Sequence, residues 1–114
     1  MKRETPLQLE YVEKVKAEIL AWTKTKDIRL HEVETIVPFV LSDKSLEVWF
    51  FFESRELVKV YNENDITEIV KQKYLELLAN MEYPQEYLNQ VNFNIDSHEN
   101  VVENYESSYF YRLR

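Results

Sequence analysis

The sequence predicts an α+β domain: a mostly antiparallel sheet with two amphipathic helices packed on it, in the order α-β-β-β-α-β-β. Three observations carry this. Apolar residues recur at helical spacing in two long segments, before residue 26 and after residue 65. Two other segments alternate apolar and polar residues with the period of a strand. Between them, Trp49-Phe50-Phe51-Phe52 is apolar on both faces, as a central strand must be.

The first helix is predicted over Pro6 to Thr25. Thr5 caps it, Pro6 suits the first helical position and Gln8 completes a capping box. Leu7, Tyr11, Val12, Val15, Ile19 and Trp22 form its stripe, with Glu10 and Lys14 at the favourable i,i+4 spacing on the wet side. Val33, Thr35, Val37, Phe39 and Leu41 then alternate with Glu32, Glu34, Ile36, Pro38 and Val40. Pro38 cannot donate to a ladder, so this strand lies at an edge or is bulged. Ser42-Asp43-Lys44-Ser45 reads as a turn of type I chemistry. Leu46 to Glu53 is the central strand, and Glu56 to Tyr61 reads as a third, making an antiparallel meander.

Asn62-Glu63-Asn64-Asp65 ends the β pattern and caps a second helix. Ile66, Ile69, Val70, Tyr74, Leu77, Leu78 and Met81 share its apolar face. Tyr83-Pro84 stops it, and Pro84 starts a single turn through Leu88. Val91, Phe93 and Ile95 alternate with Asn92, Asn94 and Asp96 as a half-buried strand. Ser97-His98-Glu99-Asn100 is a turn or a short helical start, and the last strand runs through Tyr109-Phe110-Tyr111. Alternation there sends Tyr109 and Tyr111 to one face and Phe110 to the other.

Composition excludes more chemistry than it suggests. With 114 residues the length fits one domain, residues 1–114. The chain has no cysteine, so disulfides, thiolate metal sites and Cys nucleophiles are excluded. It also has no glycine, against about 7% in an average chain. Phosphate-cradling loops, dinucleotide fingerprints, EF-hand loops and the nucleophile elbow all depend on glycine. The 21 acidic residues outnumber 14 basic ones, for a net charge of −7. That sign opposes binding to nucleic acid and to anionic membrane surfaces. No apolar run has the length of a spanning helix, and the start of the chain leads into no signal-peptide core. The expectation is an acidic cytoplasmic protein, monomeric or weakly dimeric.

The only imidazoles are His31 and His98, each with carboxylates beside it in sequence: Glu32 and Glu34, and Asp96 and Glu99. A metal centre needs about three converging ligands, and spacing does not bring the two clusters together. No metal and no cofactor is therefore expected. Paired carboxylates for acid–base work would have to meet across a cleft, and so many Glu residues supply such pairs by chance. A solvated acidic surface is the simpler reading, and no enzyme activity is expected.

Phe93-Asn94-Ile95-Asp96-Ser97-His98-Glu99-Asn100-Val101, followed by Tyr105 and Tyr109-Phe110, resembles the endings of small bacterial immunity proteins. These are the cognate antitoxins of polymorphic or contact-dependent growth-inhibition toxins. The resemblance implies a compact acidic α+β domain that binds and neutralises a toxin domain, and it assigns no individual residue a role. The residues themselves favour a partner surface in the final segment: Glu99, Glu103, Tyr105, Glu106, Tyr109 and Tyr111. Tyrosines supply buried anchors, and carboxylates steer a basic partner. Glu47 and Glu53 form an alternative surface. Self-association through the same tyrosines and a small carboxylate enzyme are the competing functions.

Overall fold

The computed structural model of the chain describes residues 7–36, 46–81 and 88–113. The first apolar stripe forms α1 (Leu7–Thr25), which buries Val12, Val15 and Ile19. The predicted capping box begins at Thr5, outside the described residues. At its other end α1 needs a left-handed residue to turn the chain, and glycine is the usual choice. Here Asp27 takes that place with φ 61°. Ile28 N–H donates to the Thr23 carbonyl at 2.9 Å and Asp27 N–H to that of Lys24 at 3.2 Å, the two bonds of a Schellman corner. A side chain at positive φ costs roughly 1 kcal/mol, less for Asp than for most residues. Asp27→Gly is therefore expected to raise the free energy of unfolding by up to about 1 kcal/mol, read from urea denaturation. A loss of stability would show that the Asp27 side chain contributes more than its conformation costs.

Three strands follow: β1 (Leu30–Ile36), β2 (Glu47–Phe52) and β3 (Asn92–Ser97), in the order β1-β2-β3. The central place of β2 agrees with its two-sided apolar pattern. β1 pairs antiparallel with β2, and a bulge between Leu30 and Glu32 leaves His31 without a partner in the register. Pro38 and the turn at residues 42–45 lie outside the described residues, as does the turn expected to start at Pro84.

The sheet is mixed, not mostly antiparallel, because the predicted third strand is a helix. Residues Glu56 to Tyr61 lie within α2 (Arg55–Glu63). Ser54 caps it by accepting from Leu57 N–H at 3.2 Å, with Glu56 in the first turn. Leu57, Val58 and Tyr61 sit one and four residues apart and pack toward the core. A five-residue apolar run fits both periods, and packing overrides the β preference of its valines. Tyr61 also accepts a hydrogen bond from Arg29 N–H at 3.0 Å, tying α2 to the start of β1.

After α2 the chain turns at Asp65, φ 68°, into α3 (Ile66–Asn80). Among the described residues, α2 and α3 lie between β2 and β3 and make the crossover that a parallel pair requires. Accordingly β3 runs parallel to β2, from Glu47 opposite Asn92 to Phe52 opposite Ser97. The predicted stripe of α3 buries Val70, Tyr74, Leu77 and Leu78, but Ile69 is 50% exposed.

One core joins these elements. Val48, Phe50 and Phe52 of β2 and Val33 of β1 meet the stripes of α1 and α3. Phe50 packs edge-on to Tyr74 at 5.8 Å and stacks on Phe93 at 5.4 Å, and Phe52 meets Tyr61 at 5.0 Å. Both long helices thus serve the same sheet face.

The final segment is helical as well. Ser97 caps α4 (His98–Asn104) by accepting from Asn100 N–H at 3.0 Å. Glu106 and Ser107, with φ 55° and 63°, form a left-handed corner that Ser107 N–H closes onto the Val101 carbonyl at 3.0 Å. The predicted last strand is α5 (Tyr109–Leu113). Strand alternation therefore does not govern Tyr109, Phe110 and Tyr111. The side chains of Phe110 and Tyr111 lie outside the described residues.

Candidate functional site

Alternation along β2 sends Trp49 and Phe51 to the sheet face away from α1 and α3. Register places Glu34 opposite Trp49 and Glu32 opposite Phe51 on one side, and Asn94 and Asp96 opposite them on the other. This face is an aromatic pair, 5.9 Å between rings, bordered by acids.

Short α5 closes over it. Tyr109 lies edge-on to Phe51 at 4.6 Å, and the Arg112 guanidinium lies over Trp49 at 4.6 Å and Tyr105 at 5.4 Å. Arg112 Nε also donates to Asp96, which accepts from Ser97 N–H at 2.7 Å and Asn100 Nδ2 at 2.9 Å. Burial alone would raise the Asp96 carboxyl, but Arg112, Asn100 and Ser97 together hold it below the usual carboxylate range. Phe51 is fully buried as a result.

The bulge and the start of α4 bring the two histidines together. Their rings stack at 3.7 Å, 18° from parallel, and Tyr109 OH lies 2.6 Å from His98 Nδ1. Burial lowers the His98 pKa and the neighbouring His31 lowers it further, while Glu53 opposes both. Burial, with the charges of Glu32 and Glu34, pushes the Tyr109 hydroxyl up to about 12. The phenol therefore stays protonated and shares a short hydrogen bond with the imidazole nitrogen.

Glu34 is pushed up to about 7, first by burial and then by its hydrogen bond and charge contact with Glu32. Glu13 adds to the rise, and Lys16 opposes it. Glu32 is fixed by Lys16 Nζ at 3.3 Å and by Val33 N–H at 3.2 Å. A protonated Glu34 carboxyl can donate to Glu32 across this contact.

The sequence-predicted partner residues divide between two environments. Glu99 and Glu103 stand on α4 beside α2. Arg55 N–H donates to Glu99 at 2.9 Å, and its guanidinium reaches Glu103 at 2.9 Å and Glu99 at 4.0 Å. Both side chains stay about half exposed, and Val102 between them is 46% exposed. Glu106 is exposed at the corner. Tyr105 and Tyr109 are instead half-buried, under Arg112 and against Phe51. Glu53 pairs with Arg29 at 3.0 Å, and Glu47 is half-buried at the start of β2.

Sequence reasoning missed Glu34, Trp49 and Arg112 as a group. The alternation of Glu32 and Glu34 with Val33 and Thr35 carried the signal, since it put both carboxyls on the face of Trp49 and Phe51. Among the described residues, no cluster of three or more His, Asp or Glu is placed to hold a metal ion. None of their helices is long and apolar enough to cross a membrane. Comparison with protein-family models, curated proteins and solved structures finds no match to the chain.

Proposed function

We propose that this chain is a cytoplasmic binding protein of the immunity type, which neutralises a cognate toxin domain by direct contact with its basic cleft. The observation that carries the proposal is the outward surface of α4. Glu99, Val102 and Glu103 recur there at helical spacing, with Glu106 exposed at the corner that follows, on a chain with net charge −7. Arg55 holds two of these carboxylates in place before any partner arrives, which lowers the ordering cost of binding. The acids accelerate encounter with a positive cleft, and exposed Val102 offers an apolar contact at their centre. Tyr105 and Tyr109 are half-buried under Arg112 and against Phe51, so the acids and Val102 carry the contact. The role asks nothing of a metal, a cofactor or a nucleic acid.

Association kinetics against a basic partner protein, captured by pull-down and identified by mass spectrometry, test the proposal. Reversing Glu103 and Glu106 to Lys is expected to slow association at low salt by about tenfold or more, with the difference shrinking as salt rises. A folded double variant that associates at the wild-type rate, with no salt dependence, would refute it.

A further inference from the structure

A second outward stripe lies on α3, remote in sequence from α4. Asp65, Glu68, Ile69, Lys73 and Glu76 recur at helical spacing and, with Trp22 from the end of α1, line a groove of about 490 Å³. Its floor is apolar. Trp22 is half-buried, and Ile69 is 50% exposed in the middle of a charged stripe. Its rim carries three carboxylates, of which Glu68 is paired with Lys71 at 3.3 Å, against one ammonium that lines it. That ammonium, Lys73 Nζ, sits 5.6 Å from the Trp22 ring centre and 3.5 Å from Glu76. The groove therefore already holds a cation between an indole and a carboxylate.

We infer that this groove is a docking site for a basic amphipathic segment of a protein partner. An apolar side chain would rest on Ile69 and Trp22, and flanking arginines would face Asp65, Glu68 and Glu76. The inference rests on the reading of the chain as a binder of basic proteins and gives that partner a second point of contact. Charge complementarity selects the occupant. An acidic segment would meet the excess of carboxylate on the rim, whereas arginine can replace Lys73 over the indole with a planar group that also pairs with carboxylates. The stripe covers three turns of helix, about 16 Å, enough for a helical ligand to lie along it.

The test is a titration of isotope-labelled protein, followed by NMR, with two synthetic peptides of about 14 residues, long enough to span the stripe at ~1.5 Å per residue. One carries leucine and arginine in amphipathic order, and the other has glutamate in place of arginine. The arginine peptide is expected to give saturable shifts at the Trp22 indole N–H and at the Ile69 and Lys73 amides. The glutamate peptide should bind at least about tenfold more weakly. Ile69→Arg should abolish the shifts, and Glu68→Lys provides a second variant at an exposed position. Shifts confined to α4 would overturn the groove while leaving the acidic binding surface standing. Absence of saturable shifts at millimolar peptide would overturn it too, as would binding that survives both substitutions. Groove shifts that depend on protein concentration without peptide would assign the groove to a second copy of the chain instead. Failure of the toxin-binding reading would appear separately, in the association kinetics of the Glu103 and Glu106 variants.

Discussion

Phe51→Ala is expected to destabilise the protein by about 3–5 kcal/mol, as much as Phe50→Ala on the opposite face. A three-stranded sheet with its long helices on one side would ordinarily leave the other side wet. Substitution of an exposed residue there would change stability by less than about 0.5 kcal/mol. Phe51 is nevertheless fully buried, under the edge of Tyr109 at 4.6 Å and beside Trp49. The large expected effect thus measures whether α5 is docked. Tyr109→Phe keeps the ring contact and loses only the hydrogen bond to His98, so about 1 kcal/mol is expected. Tyr109→Ala should cost more, because it also uncovers Phe51. Urea denaturation of the three variants separates these effects. If Phe51→Ala costs under about 1 kcal/mol, α5 does not cover the second face in solution.

The parts of this fold that were legible in the sequence are those where one period extends over many residues. The stripes of α1 and α3 each span several turns, and the apolar block at Trp49–Phe52 could only be a central strand. The parts misread are short. Leu57-Val58-Lys59-Val60-Tyr61 fits both a strand and a helix, and the Ser54 cap that decides the matter lies before it. Misreading α2 also removed the crossover, and with it the parallel pairing of β2 and β3. The left-handed corner at Glu106 and Ser107 was invisible for a related reason: without glycine, nothing in the composition marks a positive φ. Of the candidate site, the acids of α4 could be read as a helical face only after α4 was known to be a helix. The meeting of His31 with His98 depends on a bulge and on strand order, which no local pattern encodes.

Glu34 gives the second expected result, a stability contribution that falls as pH rises from 4.5 to about 7. Its carboxyl is pushed from 4.5 up to about 7 by burial and by Glu32, with a smaller rise from Glu13 and an opposing contribution from Lys16. Between those values the folded chain keeps a proton that the unfolded chain releases. The contribution is therefore complete below pH 4.5 and is lost as pH rises through about 7. A shift of that size would correspond to roughly 3 kcal/mol if wholly expressed. The site is partly open, and solvent screening reduces the expectation to roughly 1 kcal/mol. Two neighbours act in the opposite sense. Asp96 and His98 both have lowered pKa values, so each adds stability that disappears as pH falls through its folded value. Asp96 acts only below its ordinary value of 3.8, whereas His98 opposes Glu34 over the range just below 6.5. Glu34→Gln removes only the Glu34 contribution and leaves those two in place. It keeps a hydrogen-bonding group beside Glu32 and carries no charge at any pH. Urea denaturation of both proteins from about pH 4.5 to 8.5 gives the comparison, with the difference between them isolating Glu34. That difference should fall by about 1 kcal/mol between pH 4.5 and about 7 and be flat above that range. A difference that stays constant between pH 4.5 and 7 would mean that Glu34 ionises as an ordinary surface carboxyl.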